Sequence, residues 1–195
     1  MRFSLILVTL LLVPAPAWAQ AAASTTVDVA PKNPEAARQQ KLDSLLGKLH
    51  NPSPHQDVSR IEQEVWEIWS HNASSTAAVL LLQSSAAISA GDLDPAEQML
   101  SQLVETFPTF AEAWNRRASL YYVLKRYDAA MIDIDKALDL EPRNFGAWVG
   151  KGMILFAQNK SDEAIVAFKQ ALAINPNLPA VKDEIRLIEN QQPHV

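Results

Sequence analysis

Cysteine is absent from all 195 residues, which removes disulfides, thiolate nucleophiles and cysteine-held metals from consideration. Glycine is scarce, with 5 residues, and no Gly-rich phosphate loop or Gly-x-Ser-x-Gly elbow occurs. Positive charge is also short. The 17 Lys and Arg are outnumbered by 22 Asp and Glu, for a formal charge of −5, whereas nucleic-acid binders present basic stripes. His50, His55, His71 and His194 are the 4 histidines. None pairs with another at i, i+4 on a helix, and a metal site needs three or four converging ligands. No metal, cofactor or nucleic acid is expected. The acidic run Asp133, Asp135, Asp139 and Glu141 reads as a solvated helix face rather than an acid–base pair. No enzyme motif is left, so the chain is expected to be non-catalytic.

Long apolar runs are lacking too, apart from Phe3 to Val13. Met1-Arg2 precedes it, and Pro14 to Ala19 follows with small residues at Ala17 and Ala19. That is the layout of a secretory signal peptide, residues 1–19, cleaved after Ala19. The run falls short of the roughly 20 residues that span a bilayer, and an uncleaved anchor is the competing reading. Without cysteine after the run, a lipid-anchored bacterial lipoprotein is excluded. Cleavage would make the chain one unit more negative and leave no integral membrane segment. Two asparagine sequons, Asn72-Ala73-Ser74 and Asn159-Lys160-Ser161, matter only in a eukaryotic secretory host. Residues 20–35 carry small and polar residues without a helical period, and read as a flexible linker.

What the rest of the chain does have is a period. Trp114 returns as Trp148, Ala130 as Ala164, Ala137 as Ala171, and Pro108 as Pro142 and Pro176, each 34 positions on. Such self-similarity marks a repeat architecture. Each copy reads as two short helices. Ala113, Trp114, Ala118, Tyr121 and Tyr122 have helical spacing on the first, and Ala130, Ile134, Ala137 and Leu138 on the second. Pro142 then ends the unit, since proline cannot continue a helix. The small residues Ala118, Gly152, Ala130 and Ala164 suit close helix crossings, while Trp114, Trp148 and Phe168 would fill the gap to the next pair. No pair buries its apolar face alone, so neighbours must stack.

These residues resemble the tetratricopeptide repeat family, whose pattern is Trp, Leu-Gly and Tyr on one helix, Ala-x3-Phe on the next, and a closing Pro. Residues 111–144 match at Trp114, Tyr121, Ala130 and Pro142, with Arg117-Ala118 in place of Leu-Gly and Ile134 in place of Phe. Residues 145–178 match at Trp148, Gly152, Ala164, Phe168, Ala171 and Pro176, with departures at Lys151 and Leu155. Residues 77–110 form a weaker copy through Leu80, Ser84, Ala96, Leu100, Leu103 and Pro108. The segments EAWNRRASLYY and EPRNFGAWVGKG are similar to short exported repeat proteins of alphaproteobacteria. The resemblance implies an all-α, right-handed α-solenoid of helix pairs.

The ends are expected to be atypical. Residues 36–76 show leucines at Leu42, Leu45, Leu46 and Leu49, then Val58, Ile61, Val65, Ile68 and Trp69 with helical spacing around a Pro52/Pro54 break. Trp66 falls where Phe168 sits in the 34-residue frame. The segment reads as a degenerate N-terminal helix pair capping the solenoid; the alternative is a separate hairpin folded back into the groove. Gly91 ends the first helix of 77–110, and Asp94-Pro95 opens the next as cap and first residue, a role Ser161 and Asp162 repeat later. Residues 179–195 form a capping helix and tail, with Val181, Ile185 and Ile188 inward.

Ligand contacts in the family come mostly from the first helix of each pair, opposite the packing Trp and Tyr. Carried over, the groove candidates are Leu81, Ser85 and Ile88, then Asn115, Arg116, Ser119 and Tyr122, and then Val149, Met153 and Phe156. Some members hold a peptide's terminal carboxylate with Lys and Asn on that face. Here the positions are mostly apolar, so that clamp is not supported, and Asn115 and Arg116 remain as polar anchors. Such a groove suits an amphipathic helix or extended peptide. Equally, these side chains would serve as core, or be covered by segment 36–70. The expected function is a non-catalytic protein-interaction scaffold of the bacterial envelope, in the periplasm. The alternative is a self-associating structural protein, a homodimer through the apolar helix Ala77–Ala90 or Trp66 and Trp69.

Overall fold

Asp57, Ser74 and Asn144 each accept a backbone N–H of the helix they open, a local reason for those starts. The computed structural model describes residues 33–53, 57–71 and 74–191, and those from Glu35 onward belong to one compact unit. The expected signal peptide and nearly all of the 20–35 linker lie outside the described residues, as do His55, His194 and Asn72. The helices are α1 (Pro34–His50), α2 (Val58–Ser70), α3 (Ser75–Ala90), α4 (Leu93–Thr106), α5 (Ala111–Val123), α6 (Tyr127–Leu140), α7 (Phe145–Ala157), α8 (Ser161–Ile174) and α9 (Pro179–Gln191). No strand occurs among the described residues, and no helix among them is long and apolar enough to cross a membrane.

Helices α3/α4, α5/α6 and α7/α8 form three closely packed hairpins, each leaning on the next, with α9 against α8. The turns inside them are the same turn three times. Gly91, Lys125 and Asn159 adopt positive φ of 84°, 59° and 62°, one 34-residue step apart. The following N–H groups of Asp92, Arg126 and Lys160 reach back to the carbonyls of Ala87, Tyr121 and Leu155 at 2.9, 2.9 and 3.0 Å. This is the Schellman closure, which satisfies carbonyls orphaned at a helix end. The Trp–Pro phase has an equally local cause. The indole N–H of Trp114 donates to Pro108 O, and that of Trp148 to Pro142 O, both at 2.9 Å. Each tryptophan thus ties its repeat to the closing turn of the one before.

Inside the hairpins, Ala96, Ala130 and Ala164 are fully buried. At Gly152 a Cβ would stand 2.5 Å from the Phe168 ring, so the ring takes the space a side chain would need. The cores are local: one joins Ala77, Leu100 and Leu103 to Ala113, a second joins Ala130 and Ile134 to Ala147, and a third joins Phe168 and Leu155 to Ile185 and Ile188. Nearest-neighbour burial of this kind is what defines a solenoid.

The structure corrects the expected caps, the acidic run and the place of segment 36–76. Asp92, not Asp94, is the N-cap of α4, and Lys160, not Ser161, that of α8. Pro95 lies inside the first turn, where a missing N–H costs nothing. The acidic run is not uniformly solvated. Asp133 is 2% exposed and accepts both Nε and Nη2 of Arg117, at 2.7 and 2.9 Å. Glu141 is also buried and holds Arg143. Arg117, which stands where the repeat pattern has Leu, lies between the rings of Trp114 and Tyr121, 5.1 and 5.6 Å from their centroids. The Asp133 carboxylate raises its pKa.

Segment 36–76 does not stack on the first repeat. The apolar faces of α1 and α2 close a single core with Phe145 and Ala171, and Val149, Ile174 and Leu178 pack against it. Polar contacts follow suit. Asn175 Nδ2 donates to Glu62 Oε1 and Asn177 Nδ2 to Leu49 O, both at 2.6 Å, and Arg143 donates to Gln39 Oε1 at 2.7 Å and pairs with Asp43. These partners belong to the third repeat or to the turn that opens it. The hairpin folds back, the alternative that the sequence leaves open. Trp66 and Trp69 go where aromatic edges await them, 5.6 and 5.1 Å from Phe145; such edge-to-face pairs add to plain burial.

Candidate functional site

Successive first helices α5 and α7 form an inner wall, and α2 stands across from it. On α5, Glu112, Asn115, Arg116 and Ser119 follow at i, i+3, i+4 and i+7, one face of a helix. Glu112 is the organiser. It is 1% exposed, and its carboxylate accepts Arg116 Nε at 2.6 Å and Asn115 Nδ2 at 2.9 Å. A buried carboxylate without such partners would be costly. The half-exposed Arg116 is thereby fixed rather than free to sweep the surface.

These side chains face a cavity of about 660 Å³. Glu62 and Trp66 of α2 close one side. Phe145, Gly146 and Val149 of α7 form the floor, and Asn177, Leu178 and Val181 bound it at the start of α9. A mostly apolar cleft with a few fixed polar groups is the ordinary form of a ligand site. At Gly146 a Cβ would collide with the Trp66 ring, so α2 seats only because that position has no side chain. Among the described residues, no group of His, Asp and Glu is arranged to hold a metal ion.

Of the residues singled out from sequence, Asn115, Arg116, Ser119 and Val149 meet at this cavity. The others do not. Leu81 is buried in the first repeat's core with Ile88 packed against it, and Ser85 donates its hydroxyl to Leu81 O at 2.9 Å. Tyr122 packs on Tyr127, 5.8 Å between centroids, Phe156 packs on the α8–α9 core, and Met153 is 40% exposed. Glu112, Glu62, Trp66, Gly146 and Asn177 were missed. The Glu112–Arg116 spacing of four was a usable signal; nothing in the 34-residue period announces where α2 docks.

The tetratricopeptide repeat family model matches residues 111–144 and 146–178, and a second model of the same description matches 78–109; together they cover just over half the chain. A TPR repeat-containing protein of Rhizobium etli is 29% identical over 167 residues, 86% of this chain and 82% of that one. The small glutamine-rich tetratricopeptide repeat-containing protein 2 of Saccharomyces cerevisiae is 30% identical over 95 residues, 49% of this chain but only 28% of the yeast protein. Among solved structures, the first TPR of Spaghetti (RPAP3) bound to the HSP90 peptide SRMEEVD superposes with a TM-score of 0.58 at 27% identity, over 62% of this chain and 95% of that one. MamA AMB-1 has the same fold, with a TM-score of 0.52 at 19% identity over 80% and 83% of the two chains. The chain belongs to the tetratricopeptide repeat family.

Proposed function

We propose that this chain is a non-catalytic protein-interaction module of the bacterial cell envelope, exported by residues 1–19, that holds a peptide or helix against the inner wall of its solenoid. The observation that carries the reading is the cavity beside α5, where Glu112 pins Arg116 and Asn115 above the apolar floor of Phe145 and Val149. The RPAP3 domain, similar over most of its length, was solved with a bound peptide. A photo-crosslinking residue at Ser119, on the inner face, tests the site against one at Ile132, which is 70% exposed on α6. Adducts concentrated at Ser119 in living cells support the groove; equal labelling from both positions contradicts it. Fractionation tests the envelope location, for which periplasmic recovery of the processed chain is the supporting result.

A second reading, self-association, has one observation behind it. Helix α3 carries no charged residue, and its outer face leaves Val79 50% and Leu82 72% exposed. Sedimentation of the wild type against Leu82→Lys decides it: a dimer that the substitution dissociates favours self-association, and a monomer throughout removes it.

A further inference from the structure

We infer that the inner face of the third repeat is a receptor for an amphipathic helix bearing two large aromatic side chains, that α2 is its resident occupant, and that a partner helix of the same pattern displaces the α1–α2 hairpin. The inference rests on the groove reading above and names the partner's chemistry.

The fit of α2 is specific. Ile61, Val65, Ile68 and Trp69, at i, i+4, i+7 and i+8, are buried on one side of the helix, and Trp66 at i+5 lies over Gly146. The rings of Trp66 and Trp69 stand edge to face with each other and with Phe145, at centroid distances of 5.2 to 5.6 Å and 5.1 Å. This is how a groove reads a helix, through anchors spaced three and four apart.

The occupant is also removable. The three cores that hold the solenoid together contain no residue of α1 or α2, so the hairpin can leave without dismantling them, as locally unfolding segments do. Its ion pair to the turn that opens the third repeat, Asp43 with Arg143, lies at the rim, at 66% and 36% side-chain exposure, where such pairs hold weakly. Trp69 is buried, and its indole N–H has no acceptor among the described residues. A competing helix with Phe at that place would keep the second aromatic ring and leave no donor stranded. The resident therefore fills the receptor while leaving room for a better ligand, and it lowers the apparent affinity by the fraction of chains in which it is seated.

The probe is a fluorescent synthetic peptide of residues 58–70, titrated into the full chain and read by anisotropy. With no native cysteine, Asp43→Cys and Arg143→Cys can be joined by a short bismaleimide that holds the hairpin down. A second form, Trp66→Ala with Trp69→Ala, loosens it while leaving the receptor intact, and circular dichroism checks that the repeats remain folded. The expected result is binding to the unbridged chain, at least roughly tenfold weaker binding once bridged, and at least roughly tenfold tighter binding to the loosened form. A peptide lacking both tryptophans should bind none of them. Equal binding to bridged and unbridged chains, or no binding to any form, overturns the inference; if the loosened form fails to fold, the bridged comparison decides alone. Peptide binding seen only as dimerisation of the chain would make a second copy the occupant and overturn the partner reading. Crosslinks at Ser119 without peptide binding would remove this inference and leave the groove reading standing, and the reverse outcome would separate them the other way.

Discussion

At its C-terminal end the solenoid is covered twice: α9 lays Val181, Ile185 and Ile188 on the third repeat, and the α1–α2 hairpin closes over Phe145 and Ala171. At the other end, α3 leaves Val79 50% and Leu82 72% exposed, and among the described residues no helix but α4 packs closely on α3. The hairpin nearest in sequence to the bare end has gone to the covered one. A solenoid normally finishes each end with an atypical neighbour, and here shape decides over chain order. Gly146 offers a notch for an indole, and Phe145 offers an aromatic edge. The uniform, mostly small side chains of α3 offer neither.

That contrast can be broken at several places. Phe168→Ala, in the third repeat's core, should cost about 3–5 kcal/mol, because the cavity forms where layers close from both sides; denaturant unfolding measures it, and a loss under about 1 kcal/mol would mean the covered end is loosely packed. Gly146→Ala should cost about 1–3 kcal/mol through overpacking against Trp66, with a red shift of tryptophan emission as the hairpin lifts. No change in emission would place Trp66 elsewhere. In the middle repeat, Lys125→Gly should stabilise by about 0.5–1 kcal/mol, since it relieves a left-handed lysine; thermal unfolding reads it. Smallest of all, Leu82→Lys at the bare end should stay within about 0.5 kcal/mol, and a larger loss would show that α3 has a cover after all.

The repeats were legible because their causes are local. Trp114 and Trp148 bond to the turn six residues back, and Pro108, Pro142 and Pro176 close that turn, so the period is written in the chain itself. The left-handed positions were half legible: Gly91 announced its turn, whereas Lys125 and Asn159 adopt the same conformation without a glycine. The inward Asp133 was hidden because an acidic residue beside Asp135 and Asp139 looks solvated until Arg117 is known to lie inside. Of the groove candidates that the family resemblance implies, Asn115, Arg116 and Ser119 line the cavity, while Leu81, Tyr122 and Phe156 are claimed by cores that a single-helix pattern does not reveal. The docking of α2 was the least accessible. It joins residues some eighty positions apart through a steric notch at Gly146, which sequence reads only as a departure from bulk.

The most direct test is a nuclear Overhauser measurement on the Trp66 ring in the full chain. Contacts from its protons to the Gly146 α-protons and the Phe145 ring are predicted. Contacts instead to Ala77, Leu81 or other residues of α3 and α4 would return the hairpin to the first repeat and contradict the account.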